Sequence, residues 1–221
     1  MTILALDTTT VFGSVALRID GSLVGERHVH SSDGFAHVIF QQIEALLAQT
    51  SQSVSEIDCF AAGAGPGSFT GVRVGLTAAK GLAEALKKPV AAVSNLRALA
   101  AFGESERRAV VFDARRGEVY AAVYDADLNL VEPEIVMKFS EWLHGLTAPE
   151  YEFITATSAP FKSMSIGSRF AEMRWTEAPR SVASAVALCA ELDAAAGKLV
   201  DPIIADANYV RRSDAELLWK E

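Results

Sequence analysis

The sequence predicts an α/β fold built from two similar halves, and three observations carry that expectation. Short apolar runs of strand character alternate with helix-period segments along the whole chain. Apolar residues make up 50% and charged residues 22% of the 221, enough for a core that needs no metal or disulfide staple. The chain also starts twice. Leu4-Ala5-Leu6-Asp7 is echoed by Val110-Val111-Phe112-Asp113, and the two aspartates lie 106 residues apart, close to half the length.

The elements follow in order. Ile3 to Asp7 reads as a buried strand, and Gly13 to Ile19 as a second, with Val15, Leu17 and Ile19 alternating. Asp20-Gly21 is a hairpin signal, because both residues tolerate positive φ. Leu23 to Val29 returns as a third strand. Phe35 to Gln49 is an amphipathic helix whose Phe35, Ile39, Ile43, Leu46 and Leu47 share one face. A strand at Ile57 to Ala62, a helix at Gly71 to Leu86 and a strand at Pro89 to Val93 follow. Ser94 is placed to cap a short helix running to Phe102.

The second half repeats the pattern. Val110 to Asp113, Tyr120 to Tyr124 and Leu130 to Met137 are strands, Ser140 to Leu146 a helix, and Tyr151 to Thr155 a strand. Pro179 to Ala196 is a strong helix, with Pro in its first turn and Gly197 as its stop. The polar stretch Gly103 to Arg108 is the candidate boundary, giving halves 1–104 and 105–221.

Charge and cysteine content narrow the function classes. A formal net charge of −8 argues against nucleic-acid binding by bulk electrostatics. Cys59 and Cys189, the two cysteines, supply neither a disulfide framework nor a four-cysteine zinc site and read as buried thiols. The N-terminus lacks the pattern of a signal peptide, and no run of about 18 apolar residues could span a bilayer. A soluble, cytoplasmic protein is expected.

The glycine-rich stretch Gly63-Ala64-Gly65-Pro66-Gly67-Ser68-Phe69-Thr70-Gly71 joins a strand to a helix, where backbone N–H groups can hold an anion. It has neither the spacing of a P-loop nor that of a dinucleotide fingerprint or a nucleophile elbow. A close-packed strand-to-helix crossing is the competing reading. The helix behind it confines Arg73, Thr77, Lys80 and Glu84 to one narrow stripe and is apolar or small elsewhere. Gly71, Gly75 and Ala79 recur every four residues, a smooth strip that a second helix could approach. Such a helix needs cover on more than one side, either from the chain's own second half or from another protein.

Catalytic candidates are sparse. His28 and His30 share a strand face but find no third ligand by sequence, and His37 has Gln41 four residues on. Asp7 and Asp113 end their strands, where carboxylates of α/β folds meet ligands or cap the next turn. Lys87-Lys88, Arg107-Arg108, Arg115-Arg116 and Arg211-Arg212 are local basic spots, read as solvated charge or as contacts to an RNA held by a partner.

Four stretches carry a resemblance: Ile3-Leu4-Ala5-Leu6-Asp7-Thr8, Gly65-Pro66-Gly67-Ser68-Phe69-Thr70-Gly71-Val72-Arg73, Asp113-Ala114-Arg115-Arg116-Gly117-Glu118-Val119-Tyr120 and Tyr209-Val210-Arg211. Together they resemble the bacterial TsaB (YeaZ) family over essentially the whole chain, most strongly over 1–125. A proline usual before the final Tyr-x-Arg is missing. The resemblance implies the duplicated actin-like (ASKHA, ribonuclease H-like) fold in two lobes. It also implies a role in forming N6-threonylcarbamoyladenosine at position 37 of tRNAs that read ANN codons.

In that pathway TsaD transfers the threonylcarbamoyl group from its adenylate to tRNA, and TsaE, an ATPase, joins the complex. The TsaB family is the catalytically silent relative that pairs with TsaD through the first two helices. No catalytic, cofactor or metal residue carries over, since a TsaD-type site needs two histidines on one helix face and the corresponding helix here offers only His37. The pairing surface does carry over. Helical spacing then nominates Ile39, Phe40, Ile43 and Leu47 on the first helix, and Val72, Gly75, Leu76, Ala79 and Leu82 on the second. A homodimer of the free chain and an ATP-dependent phosphotransferase, with Asp7 and Asp113 near the phosphates, remain as alternatives.

Overall fold

A computed structural model describes residues 1–211. The chain folds into two compact units, residues 1–98 with 180–208, and residues 99–179 with 209–211.

The first unit is a five-stranded sheet in the order β3-β2-β1-β4-β5. Strands β1 (Thr2–Asp7), β2 (Phe12–Ile19) and β3 (Ser22–His30) form an antiparallel meander. Strands β4 (Cys59–Gly65) and β5 (Val90–Ser94) add in parallel on the far side of β1. The central β1 and β4 are almost continuously buried, as strands covered on both faces must be.

Side chains alternate across the sheet. Leu4, Leu6, Val15, Leu17 and Phe60 join helices α1 (Ile39–Gln49) and α2 (Phe69–Leu86) in one core cluster. Asp7 and Ser14 point the other way and meet the start of α6 (Ala183–Ala195). The buried face of α6 includes Ala183, Ala185, Ala187, Cys189 and Ala190, small side chains that let it lie close against the sheet. A short helix α3 (Asn95–Ala100) follows β5, and Ser94 Oγ accepts the amides of Leu96 and Arg97 as a cap.

The second unit repeats this plan. Its strands are β6 (Arg108–Asp113), β7 (Glu118–Tyr124), β8 (Leu130–Lys138), β9 (Glu152–Thr155) and β10 (Trp175–Glu177). They run in the order β10-β9-β6-β7-β8, with β6, β7 and β8 antiparallel and β9 and β10 parallel. Read from its other end, this is the first sheet's order, so the repeat read in the sequence is a repeat of topology. The helices here are short: α4 (Phe139–Gly145) and α5 (Ala159–Ser165) have 7 residues each. Large rings fill the volume that longer helices would occupy. Phe139, Trp142, Tyr151, Phe153, Phe161 and Phe170 form the centre of this core.

Three differences from the sequence reading have physical causes. The first helix starts at Ile39 rather than Phe35, because residues 35–38 form a turn in which Val38 and Ile39 both donate to the Phe35 carbonyl. The last helix starts at Ala183, four residues beyond Pro179, and no side chain of its own caps it. Its leading amides are taken by the sheet instead: Val182 by Asp7, Ala183 by Ser14 and Ser184 by Glu26. For the same reason, the compact units do not divide at 104/105. Residues 180–208 return to the first unit, where α6 packs on β1 and β2 and forms ion pairs from Glu191 to Arg18 and from Asp193 to Arg97, both at 2.7 Å. Helix α5 and strand β10, of 7 and 3 residues, were not anticipated.

Candidate partner-binding surface

The glycine-rich loop is a packing device. Ser68 caps α2 by accepting the Gly71 amide at 3.3 Å. A Cβ on Gly71 would stand 2.1 Å from the Thr8 carbonyl oxygen, and one on Gly75 would stand 2.5 Å from the Thr8 hydroxyl. That hydroxyl donates to the Gly71 carbonyl at 2.6 Å. The glycine strip therefore draws α2 onto the end of β1. Two of the loop amides are also spent inside the fold: Gly65 donates to Asn95 Oδ1 at 2.9 Å and Ser68 to the Thr9 carbonyl at 2.7 Å.

Asp7 sits at the hub of this arrangement and is buried. Its Oδ1 accepts the Thr9 hydroxyl at 2.7 Å, the Thr9 amide at 3.2 Å and Asn95 Nδ2 at 3.1 Å, while Oδ2 accepts the Val182 amide at 3.4 Å. Burial pushes its carboxyl above the usual carboxylate range, against the pull of these hydrogen bonds. The phosphotransferase alternative needs Asp7 to face a ligand, but here it faces the protein's own donors. Asp113 is exposed and caps its turn by accepting the Arg115 amide at 2.7 Å.

The motif stretches behind the family resemblance meet in pairs. Thr8 and Thr9 pack on the glycine loop. Arg211 donates to the Ala114 carbonyl at 2.8 Å and to Glu118, with its guanidinium over the Tyr120 ring, clamping the turn between β6 and β7. Arg211 and Arg108 are thus tied into the fold; Arg108, only 9% exposed, donates to the Ala100 and Ser105 carbonyls. Arg115 and Arg116 are exposed, and Arg212 lies outside the described residues. Cys59 and Cys189 are buried as expected, each thiol pushed up to about 12 by desolvation. His28, His30, His37 and His144 are all exposed. Among the described residues no three His, Cys, Asp or Glu side chains gather as a metal site, and no helix is long and apolar enough to cross a membrane.

An apolar groove of about 810 Å³ runs between α1 and α2. On the α1 side Ala36, Ile39 and Phe40 line it. On the α2 side Thr70, Arg73, Val74, Thr77, Ala78, Gly81 and Leu82 line it, at spacings of three and four that define one helical stripe. Phe69 closes one end, with the Arg73 guanidinium 3.8 Å above its ring. Phe40 is 54% exposed and Phe69 46%, unusual for large rings.

Of the nine nominated interface residues, the groove holds Ile39, Phe40 and Leu82. Ile43, Leu47, Val72, Gly75, Leu76 and Ala79 are buried within the first unit's own fold. The two helices nominated from the sequence do border this groove, but the face of α2 nominated there is turned too far round to line it. The sequence reading took the Gly71-Gly75-Ala79 strip for the outer face, whereas Thr8 and the sheet occupy it. Arginine at Gly75 or Ala79 would therefore test folding and not association. Thr70, Val74, Thr77, Ala78 and Gly81 line the groove without having been nominated; the signal available was the polar stripe of Arg73 and Thr77, which marks the outward side of α2.

Two sheets of one strand order, each a three-stranded meander extended by two parallel strands, make this a duplicated actin-like α/β protein, with an apolar groove on its first unit. Comparison with known proteins agrees. The family model described as TsaD: tRNA N6-adenosine threonylcarbamoyltransferase matches residues 30–219. The tRNA threonylcarbamoyladenosine biosynthesis protein TsaB of Bacillus subtilis is 34% identical over 151 residues, covering 66% of each chain. That of Escherichia coli is 35% identical over 159 residues, covering 66% of this chain and 68% of its own. The matched stretch thus spans about two thirds of these relatives' length. The solved structure of YeaZ from Pseudomonas aeruginosa is 29% identical, with a TM-score of 0.76 over 94% of this chain and 99% of that one. The chain belongs to the TsaB (YeaZ) family, relatives of TsaD.

Proposed function

We propose that this chain is a non-catalytic subunit that binds and stabilises a TsaD-type transferase, with TsaE as a further member of the complex. The reaction served is threonylcarbamoylation of adenosine 37 in tRNAs reading ANN codons, and tRNA is met only through the complex. The observation that carries the reading is the groove between α1 and α2. It leaves Phe40 and Phe69 in water beside small residues, on a unit whose other large apolar side chains are mostly packed inside. A helical face of the partner fits it, because Thr77, Ala78 and Gly81 allow close approach. The names of the matched relatives support the pathway.

Co-expression with a TsaD-type transferase, followed by size-exclusion chromatography and a tRNA modification assay, tests this. The native pair is expected to co-elute, and neither Phe40→Asp nor Thr77→Arg is expected to, although both residues are exposed and both variants should fold. The chain alone is expected to make no modified tRNA. Undiminished complex formation by both variants would overturn the groove assignment. Tight binding of ATP and magnesium by the isolated chain would favour the phosphotransferase instead.

A further inference from the structure

We propose that the turn between β6 and β7 contacts the phosphate backbone of the tRNA within the complex, with the Arg115 and Arg116 guanidinium groups on phosphodiester oxygens. This rests on the function proposed above, which brings a tRNA to the complex that contains this chain.

The backbone sets this turn apart. Arg115, Arg116 and Gly117 take φ of 62°, 56° and 77°, three left-handed residues in succession. Glu118 N donates to the Arg115 carbonyl at 3.0 Å, and Ala114 N to the Glu118 carbonyl at 3.0 Å, so Arg116 and Gly117 are the central pair of a tight hairpin turn. Such turns favour Asn-Gly or Asp-Gly, because a Cβ crowds the backbone at positive φ. The hairpin between β2 and β3 follows that preference with Asp20-Gly21, at φ of 44° and 83°. Among the described residues, two successive non-glycine residues hold positive φ only at Arg115-Arg116. Asparagine or glycine would suit the backbone better at both positions, so the arginines are there for their side chains.

The duplication supplies an internal comparison. In each unit an aspartate ends the first strand and accepts the amide two residues on: Asp7 accepts Thr9 at 3.2 Å and Asp113 accepts Arg115 at 2.7 Å. In the first unit this turn is buried, with Thr8 at 1% and Thr9 at 2% exposure, and it packs on the glycine loop. In the second unit residues 115–117 are exposed. One turn thus carries threonines that pack inward, and its counterpart carries arginines that meet solvent.

The local chemistry fits phosphate. The turn's own carboxylates are Asp113 and Glu118; Asp113 accepts the Arg115 amide, and Glu118 accepts the Arg211 guanidinium. Arg211 also donates to the Ala114 carbonyl at 2.8 Å, so a segment remote in sequence braces the turn. Three arginines against two carboxylates leave local positive charge on a chain whose net charge is −8. A guanidinium fork matches two phosphate oxygens at once, and two adjacent forks suit a run of phosphates. The overall negative charge keeps the isolated chain from holding RNA by itself.

The test measures tRNA affinity of the co-purified complex with the TsaD-type transferase, by fluorescence anisotropy over a range of salt. The native complex is compared with Arg115→Asn/Arg116→Asn and with Arg115→Lys/Arg116→Lys. The asparagine variant is expected to co-elute with the transferase, to keep a thermal midpoint no lower than native, and to bind tRNA about tenfold more weakly. Its slope of log affinity against log salt is expected to shrink by about 1–2, roughly one for each lost phosphate contact. The lysine variant is expected to keep the native slope and lose less affinity, which separates charge from the fork. A merely structural role would lower the midpoint and leave the salt slope native. Native affinity and slope in the asparagine complex would overturn this inference and leave the proposed function standing. Loss of co-elution in that variant would overturn it too, by making the turn a protein contact. Displacement of tRNA from the native complex by pyrophosphate at matched ionic strength would do the same, by making the turn a site for a compact phosphate. Failure of the native chain to pair with the transferase would overturn both readings.

Discussion

Gly71 and Asp7 show how much of this fold hangs on single positions. Gly71 has no side chain because the Thr8 carbonyl oxygen already occupies the place of its Cβ, 2.1 Å away. The nearest atom is backbone, so relief requires α2 or the end of β1 to move. Gly71→Ala is expected to cost about 1–3 kcal/mol, read as a lower urea midpoint at unchanged slope; a native midpoint would refute the packing argument. Asp7 works through hydrogen bonds. Its carboxyl pKa is raised in the folded chain, so the fold favours the neutral form. Its contribution is complete below the unfolded value of 3.8 and is lost as pH rises through the higher folded value. Urea titrations across that range should show the native chain losing stability relative to Asp7→Asn as pH rises. A difference that is flat or grows with pH would contradict this assignment.

Among the elements, α6 departs most from what local sequence implies. Its leading amides are satisfied by Asp7, Ser14 and Glu26, one residue from each strand of the first meander. The Glu26 carboxylate also lies where the helix dipole favours negative charge. Since α6 covers one face of the first sheet, residues 1–104 expressed alone should not form a native unit. Near-ultraviolet circular dichroism of that fragment is expected to lack tertiary signal, and addition of a peptide spanning 180–208 should restore it. A cooperatively folded 1–104 fragment would show that α6 is dispensable. Helix α2 teaches the complementary lesson. Its polar stripe pointed outward as read, but its small-residue strip faced the protein, because glycine spacing shows where something approaches closely and not whether that neighbour is the chain's own backbone or another molecule.

At the scale of the molecule, the duplicated sheet is scaffold and the groove is the feature left without a role inside the fold. If a TsaD-type transferase seats there and binds only the folded chain, its presence must raise apparent stability by mass action. At a free partner concentration a hundredfold above the dissociation constant, the gain is about 2.7 kcal/mol. Thermal scans of the chain with increasing partner should show a concentration-dependent rise in the midpoint that Thr77→Arg abolishes. A partner-independent midpoint would argue against binding through this groove.

Much of this protein was legible in its residues alone. Alternation and helical spacing placed the central strands and both groove helices, since periodic burial follows directly from backbone geometry. The aspartates 106 residues apart disclosed the duplication, because equivalent strand ends need equivalent turns. The motif stretches named the family. Tertiary structure alone decided which way each helix faces, where α6 begins and which half it joins. Those outcomes depend on partners remote in sequence: Thr8 beneath Gly71 and Gly75, the sheet's side chains on the amides of α6, and Lys80 on the turn at Ile203. Local patterns specify that a face must be covered; only the folded chain shows which faces cover one another and which remain open.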